Sequence, residues 1–132
     1  MINYPESSLP EGEIATTRVV AMPADTNPAG DIFGGWIMSQ VDLAGGVAAT
    51  QRVHGRVVTV AVNSFHFDQP VYVGDLVSCY ATVEKVGNTS LTINVVVYAE
   101  RYGQQQEIVK VTRAKLVYVA LDEQGKPVSI AT

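Results

Sequence analysis

Asp42 is the one charged residue between Asp31 and Arg52, set in the small and apolar run IFGGWIMSQVDLAGGVAATQ. An ionised carboxylate in apolar surroundings is costly unless it is hydrogen-bonded or partly wet. The bland reading of Asp42 is a polar residue facing solvent or a subunit boundary. The chemical reading is a carboxylate in a semi-dry cleft beside small residues, used as a base or a nucleophile. Upstream of it stand Gly34-Gly35-Trp36, where the run reads as the start of a helix. Free backbone N–H groups and the positive end of the helix dipole meet there, and both suit a polarised carbonyl oxygen. Asn27 brings a side-chain amide to the same entrance, suited to hold a water. Base, oxyanion donors and a water-positioning amide together describe hydrolysis of an ester or thioester.

The helix that carries Asp42 is predicted from Gly34 to Val53, roughly 30 Å long at ~1.5 Å per residue. Ile37, Val41, Ala44 and Ala48 fall on one apolar stripe; Met38, Asp42, Gly45, Gly46 and Ala49 form a second stripe of mostly small residues. A helix apolar on nearly every side is expected to be buried. An interior glycine costs ~1 kcal/mol relative to alanine, so Gly45 and Gly46 mark the close passage of another backbone or of a ligand. His54-Gly55 ends the helix, and the turn cluster Asn27-Pro28-Ala29-Gly30-Asp31 leads into it.

The rest is read as strand. Residues 1–13 form an irregular polar arm, and 15–22 a first strand ended by Pro23. Strands are predicted over 56–67, 76–86, from about 91 after a hairpin turn at 87–89, and over 108–121 after a turn at 103–105. Val77, Cys79, Ala81 and Val83 share one face and Ser78, Tyr80, Thr82 and Glu84 the other; Leu91, Ile93, Val95 and Val97 oppose Thr92, Asn94 and Tyr98. A lone helix with one apolar sheet available lies on that sheet. The expected class is therefore α+β: a curved antiparallel five-stranded sheet wrapped around one long central helix, the hotdog architecture, as a single domain over residues 1–132. Val96 and Tyr98 are expected to add apolar surface on the outer side, and pairing of sheet edges into a dimer is the expected remedy for open edges.

Composition narrows the function classes. The 132 residues carry a net charge of −4, with a pI near 5.0, which argues against a nucleic-acid partner. No basic segment followed by an apolar run is seen at the start, and the 32–50 region is too interrupted for a membrane span, so a soluble cytoplasmic protein with no membrane partner is expected. Cys79 stands alone, in phase with Val77 and Ala81, and reads as a buried structural thiol. His54 reads as a helix-end residue and His66 as a surface or structural one, and no metal site is expected. The glycines at 30–35 lack the Lys-Ser/Thr pair of a phosphate loop, and no G-x-S-x-G elbow surrounds Ser39.

The blocks AMPADTN at 21–27, GDIFGGWIMSQVD at 30–42, GRVVTVAV at 55–62, PVYVGD at 70–75 and YVA at 118–120 closely resemble the YciA-type acyl-CoA thioesterases. The similarity covers about residues 16–128. It implies a hotdog fold, a dimer of paired sheets often assembled into hexamers as trimers of dimers, and hydrolysis of acyl-CoA thioesters with no cofactor beyond the coenzyme A of the substrate. It also implies an active site between subunits. Asp42 would match the family's catalytic carboxylate, acting on water as general base or attacking directly; the base role is favoured, because a buried aspartyl anhydride needs its own water to turn over. Asn27 would match its partner, contributed by the other protomer, and Gly34 and Gly35 the amides that polarise the carbonyl. Gly30, Thr59, Asn88, Thr89 and Ser90 would contact substrate.

Five positions depart from the family pattern. Asn88, Thr92, Asn94 and Gln69 replace frequent cations, and Arg113 stands where an acidic residue is common. Arg56, Lys85, Lys110, Arg113 or Lys115 are the candidates to meet the coenzyme A phosphates instead. The alternatives to hydrolysis are a non-catalytic acyl-CoA-binding or regulatory module and a hydratase. The hydratase ranks low, since no histidine precedes His54 in the loop or helix.

Overall fold

The computed structural model describes residues 2–131; Met1 of the arm and Thr132 lie outside the described residues. The elements run β1 (Thr17–Val20), a 3-10 turn (Pro23–Asp25), α1 (Gly34–Val53), β2 (Arg56–Phe67), β3 (Leu76–Val86), β4 (Ser90–Tyr102) and β5 (Gln106–Leu121). The strands form one antiparallel sheet in the order β1-β3-β4-β5-β2. This is the hotdog arrangement expected from the sequence. The helix and the two middle strand ranges match their predicted bounds, whereas β1 is shorter than 15–22 and β5 begins two residues early. Among the described residues no helix is long and apolar enough to cross a membrane.

The helix forms where the sequence directs it. Its first turn has no side-chain cap, and His54 closes it in a left-handed conformation at φ 56°, its N–H bonded to the Thr50 carbonyl at 2.8 Å. The stripe Ile37, Val41, Ala44 and Ala48 is buried, against Val77, Cys79, Leu91, Ile93, Val95, Val97 and Leu116 of the sheet. Each buried branched side chain contributes roughly 1.5–3 kcal/mol, so this seam fixes how the helix lies. The expectation of burial on every side fails on the opposite flank. Met38, Asp42, Leu43 and Val47 are exposed, because nothing within one chain covers them.

The outer face of the sheet corrects a second expectation. Val96 and Tyr98 do not add open apolar surface; both are buried with Tyr80 beneath Tyr4, Leu9 and Ala15. The arm holds there through main-chain groups: the Tyr98 hydroxyl donates to the Pro5 carbonyl at 2.6 Å and the Lys110 N–H to the Glu6 carbonyl at 3.2 Å. It is irregular, as predicted, and covers the sheet like a strap.

The link from β2 to β3 crosses beside the helix N-terminus and is tied down. Arg101 pairs with buried Asp75 at 3.1 Å, donates to the Pro70 carbonyl at 2.7 Å and lies 4.4 Å over the Tyr72 ring. The Ile32 N–H donates to the Val71 carbonyl, which joins this link to the loop that leads into α1.

Candidate active site

Asp42 projects from the uncovered flank of α1 toward the edge strand β2. Thr59 Oγ1 donates to Asp42 Oδ1 at 2.7 Å, and the Tyr118 hydroxyl lies 2.9 Å from the same oxygen and 2.9 Å from the Asp42 carbonyl. Register explains why two hydroxyls converge there. Thr59 of β2 and Tyr118 of β5 are direct cross-strand partners and point to the same face, while a bulge between Thr59 and Ala61 interrupts the ladder immediately afterward. Burial, together with the Asp42 carboxylate beside it, holds the Tyr118 phenol far above its usual range, so it remains a protonated donor.

Gly45 accounts for the closeness of Tyr118. A Cβ at position 45 would stand 2.2 Å from the tyrosine oxygen and 3.0 Å from the ring carbon bearing it. The helix glycine thus makes room for a side chain, where the sequence suggested a backbone or a ligand. At Gly46 nothing lies within 4 Å. It opens instead onto a hollow of about 460 Å³ walled by Asp42, Leu43, Gly46, Val47, Val57, Thr59 and Tyr118 among others. The hollow beside Asp42 is mostly apolar but open to solvent, and Asp42 itself is exposed within one chain.

The other expected groups are not in this hollow. Gly34 and Gly35 stand at the far end of the helix and line two separate depressions. Their N–H groups find no acceptor among the described residues, but that of Trp36, also expected to be free, donates to the Phe33 carbonyl at 3.0 Å. Gly35 leaves room for the Phe33 ring, which a Cβ would meet at 2.7 Å. Asn27 Oδ1 is spent on its own turn, accepting from Ala29 at 3.0 Å and Asp31 at 3.2 Å, and Gly30 completes that turn at φ 91°. The single entrance shared by Asp42, Asn27 and the two glycines is not formed within one chain. Gly34 and Asp42 are eight positions apart, ~12 Å along the axis.

Thr59, expected to touch substrate, instead spends its hydroxyl on Asp42. The Asn88-Thr89-Ser90 turn is bound by the chain's own C-terminal segment: Ser129 Oγ donates to Asn88 Oδ1 at 3.0 Å, Ile130 N–H to the Asn88 carbonyl and Ala120 N–H to the Thr89 carbonyl. Among the candidate cations, Lys110 is buried against the arm, 3.8 Å from Glu6, and cannot meet a phosphate. Lys115 pairs with Glu84 at 2.9 Å, while Arg56, Lys85 and Arg113 are exposed. The sequence reading missed Tyr118. Its signal was a polar tip in phase with inward-facing Leu116 and Ala120, 76 residues from the carboxylate it serves.

Comparison with known proteins agrees with the fold. Residues 29–104 match the thioesterase superfamily. The acyl-CoA thioester hydrolase YciA of Salmonella typhimurium is 49% identical over 120 residues, covering 89% of this chain and 90% of that protein. A hexameric hotdog fold thioesterase of Campylobacter jejuni superposes with a TM-score of 0.86 at 46% identity, covering 89% of this chain and 90% of that one. A hexameric thioesterase from Yersinia pestis gives a TM-score of 0.84 at 48% identity, covering 95% and 100%. With the fold and these relatives in agreement, the chain belongs to the YciA-type acyl-CoA thioester hydrolases of the thioesterase superfamily.

Proposed function

We propose that the protein hydrolyses acyl-CoA thioesters at Asp42. The observation that carries this reading is the Asp42 carboxylate, tied by two hydroxyls at the wall of an apolar hollow. In the reaction Asp42 takes a proton from water as the water oxygen attacks the thioester carbonyl carbon. The resulting oxyanion is met by backbone N–H groups, and it collapses by breaking the C–S bond. The coenzyme A thiolate then takes up the proton, leaving free acid and thiol.

The donors for that oxyanion are the Gly34 and Gly35 amides of a second copy. Donors must lie about 2.7–3.1 Å from the oxyanion while the base reaches the same carbonyl through one water. A separation of ~12 Å on one helix exceeds that reach. Asn27, with its oxygen engaged in its own turn, presents its NH2 end to water or substrate from the same second copy. The surface around Asp42 suits such a partner. Met38, Leu43 and Val47 of the helix and Val58, Val60 and Val62 of β2 are exposed apolar residues, and β2 is an edge strand paired only with β5. The working unit is therefore a homo-oligomer built on dimers.

The test is thiol release from a series of acyl-CoAs, from acetyl to palmitoyl, with Asp42→Ala beside the wild type. The variant is expected to lose at least about a hundred-fold in turnover while keeping its fold and assembly. Retained turnover in it would sink the assignment, and binding without any thiol release would mark a non-catalytic module.

A further inference from the structure

Both hydroxyls beside Asp42 reach one carboxylate oxygen, the single Tyr118 proton being shared between Oδ1 and the Asp42 main-chain carbonyl, each 2.9 Å away. Thr59 Oγ1 and the Tyr118 hydroxyl lie 2.7 Å and 2.9 Å from Oδ1, whereas Oδ2 has no hydrogen-bond partner among the described residues. The two donors come from adjacent strands in direct register, so together they fix the rotation of the carboxylate about its Cβ–Cγ bond. Tyr118 is itself fixed, buried against Gly45 with no space for a Cβ between them. A solitary donor would allow the carboxylate to swing, but two donors on one oxygen make its two atoms chemically distinct.

We propose that Tyr118 is a positioning residue for the reaction: with Thr59 it ties Asp42 Oδ1 and reserves Oδ2 as the oxygen that accepts the proton of the attacking water. The inference rests on the hydrolytic reading of Asp42 given above. Oδ1 has its lone pairs engaged by the two hydroxyls. Oδ2 keeps its lone pairs for water. Gly45 belongs to the same device, because any larger residue there displaces the tyrosine oxygen that holds the carboxylate.

Tyr118→Phe tests this directly, since it removes only the hydroxyl and leaves the ring in place. Loss of one hydrogen bond to a charged group is expected to lower kcat and kcat/KM together, by roughly ten- to a hundred-fold, with KM unchanged. The melting profile and oligomeric state should remain close to wild type, which a purely structural role for the hydroxyl does not predict alongside a fall in kcat. Thr59→Val removes the other donor from a more open position and should show the same kcat loss, keeping the test alive if Tyr118→Phe does not fold. A wild-type kcat in the folded variants, or a loss confined to KM, overturns the inference. Asp42→Ala measured in parallel separates the two levels. If that variant retains turnover, the hydrolytic reading itself fails; if it is dead while Tyr118→Phe and Thr59→Val turn over normally, only the positioning role fails.

Discussion

At the scale of the residue, Asp42 was legible because it is the lone charge in a long apolar run, and such a charge needs a reason. The groups that hold it were less legible. Thr59 was expected to contact substrate rather than to hold the carboxylate, and Tyr118 lies far along the chain. Gly45 carried the clue: a helix glycine is costly, and what it accommodates is the tyrosine. Gly45→Ala should therefore destabilise the protein by about 1–3 kcal/mol in chemical denaturation, through overpacking against Tyr118. The same substitution in a Tyr118→Phe background should cost clearly less, because the closest clash, at the hydroxyl, is gone. Cys79 gives an independent check. Burial raises its thiol to about 11 from the ordinary 9.0, so the thiol stays protonated at neutral pH. Native protein at pH 8 should not react with a thiol reagent, whereas denatured protein should yield one thiol per chain. The associated stability is fully present below about pH 9 and is lost as pH climbs toward 11.

Among the elements, β3 and β4 were readable from their alternation, and the helix from a long apolar run set between a turn cluster and His54-Gly55. The alternation in β3 and β4 assigned the inner face correctly. It could not say what covered the outer face, since Tyr4 and Leu9 sit in an arm with no regular pattern and their contacts lie on distant strands. The arm proves to be part of the core. Deleting residues 2–10 should uncover Tyr80, Val96 and Tyr98, lower the melting temperature by about 5 °C or more, and promote aggregation. An unchanged melting temperature would show that the strap contributes nothing to stability. The turn at 88–90 was harder still. Its position in a hairpin was plain, but its hydrogen bonds go to Ala120 and to a C-terminal segment with no regular pattern.

For the whole molecule, one chain carries all the expected site residues and yet brings only some of them together. The residue reading set Asp42, Asn27 and the helix N-terminus at one entrance, although ~12 Å of helix separates Asp42 from Gly34, and only the family resemblance implied a site between subunits. That distance, the exposed apolar flank beside Asp42 and the unpaired edge of β2 all point to a site completed by a second copy. The hexameric relatives from Campylobacter jejuni and Yersinia pestis accord with assembly of this kind.

The most direct measurement of that claim is the activity of mixed oligomers. Asp42→Ala removes the proposed base. Gly34→Pro removes one of the proposed donors at a helix position where proline is tolerated, after Phe33, whose backbone is already extended. Each variant alone should be nearly inactive in thiol release. Co-expressed with different tags, they should pair at random, so that half the dimers are mixed and each mixed dimer holds one intact site. Activity should then return to about a quarter of the wild-type level. Mixed oligomers no more active than their parents would contradict a site shared between protomers.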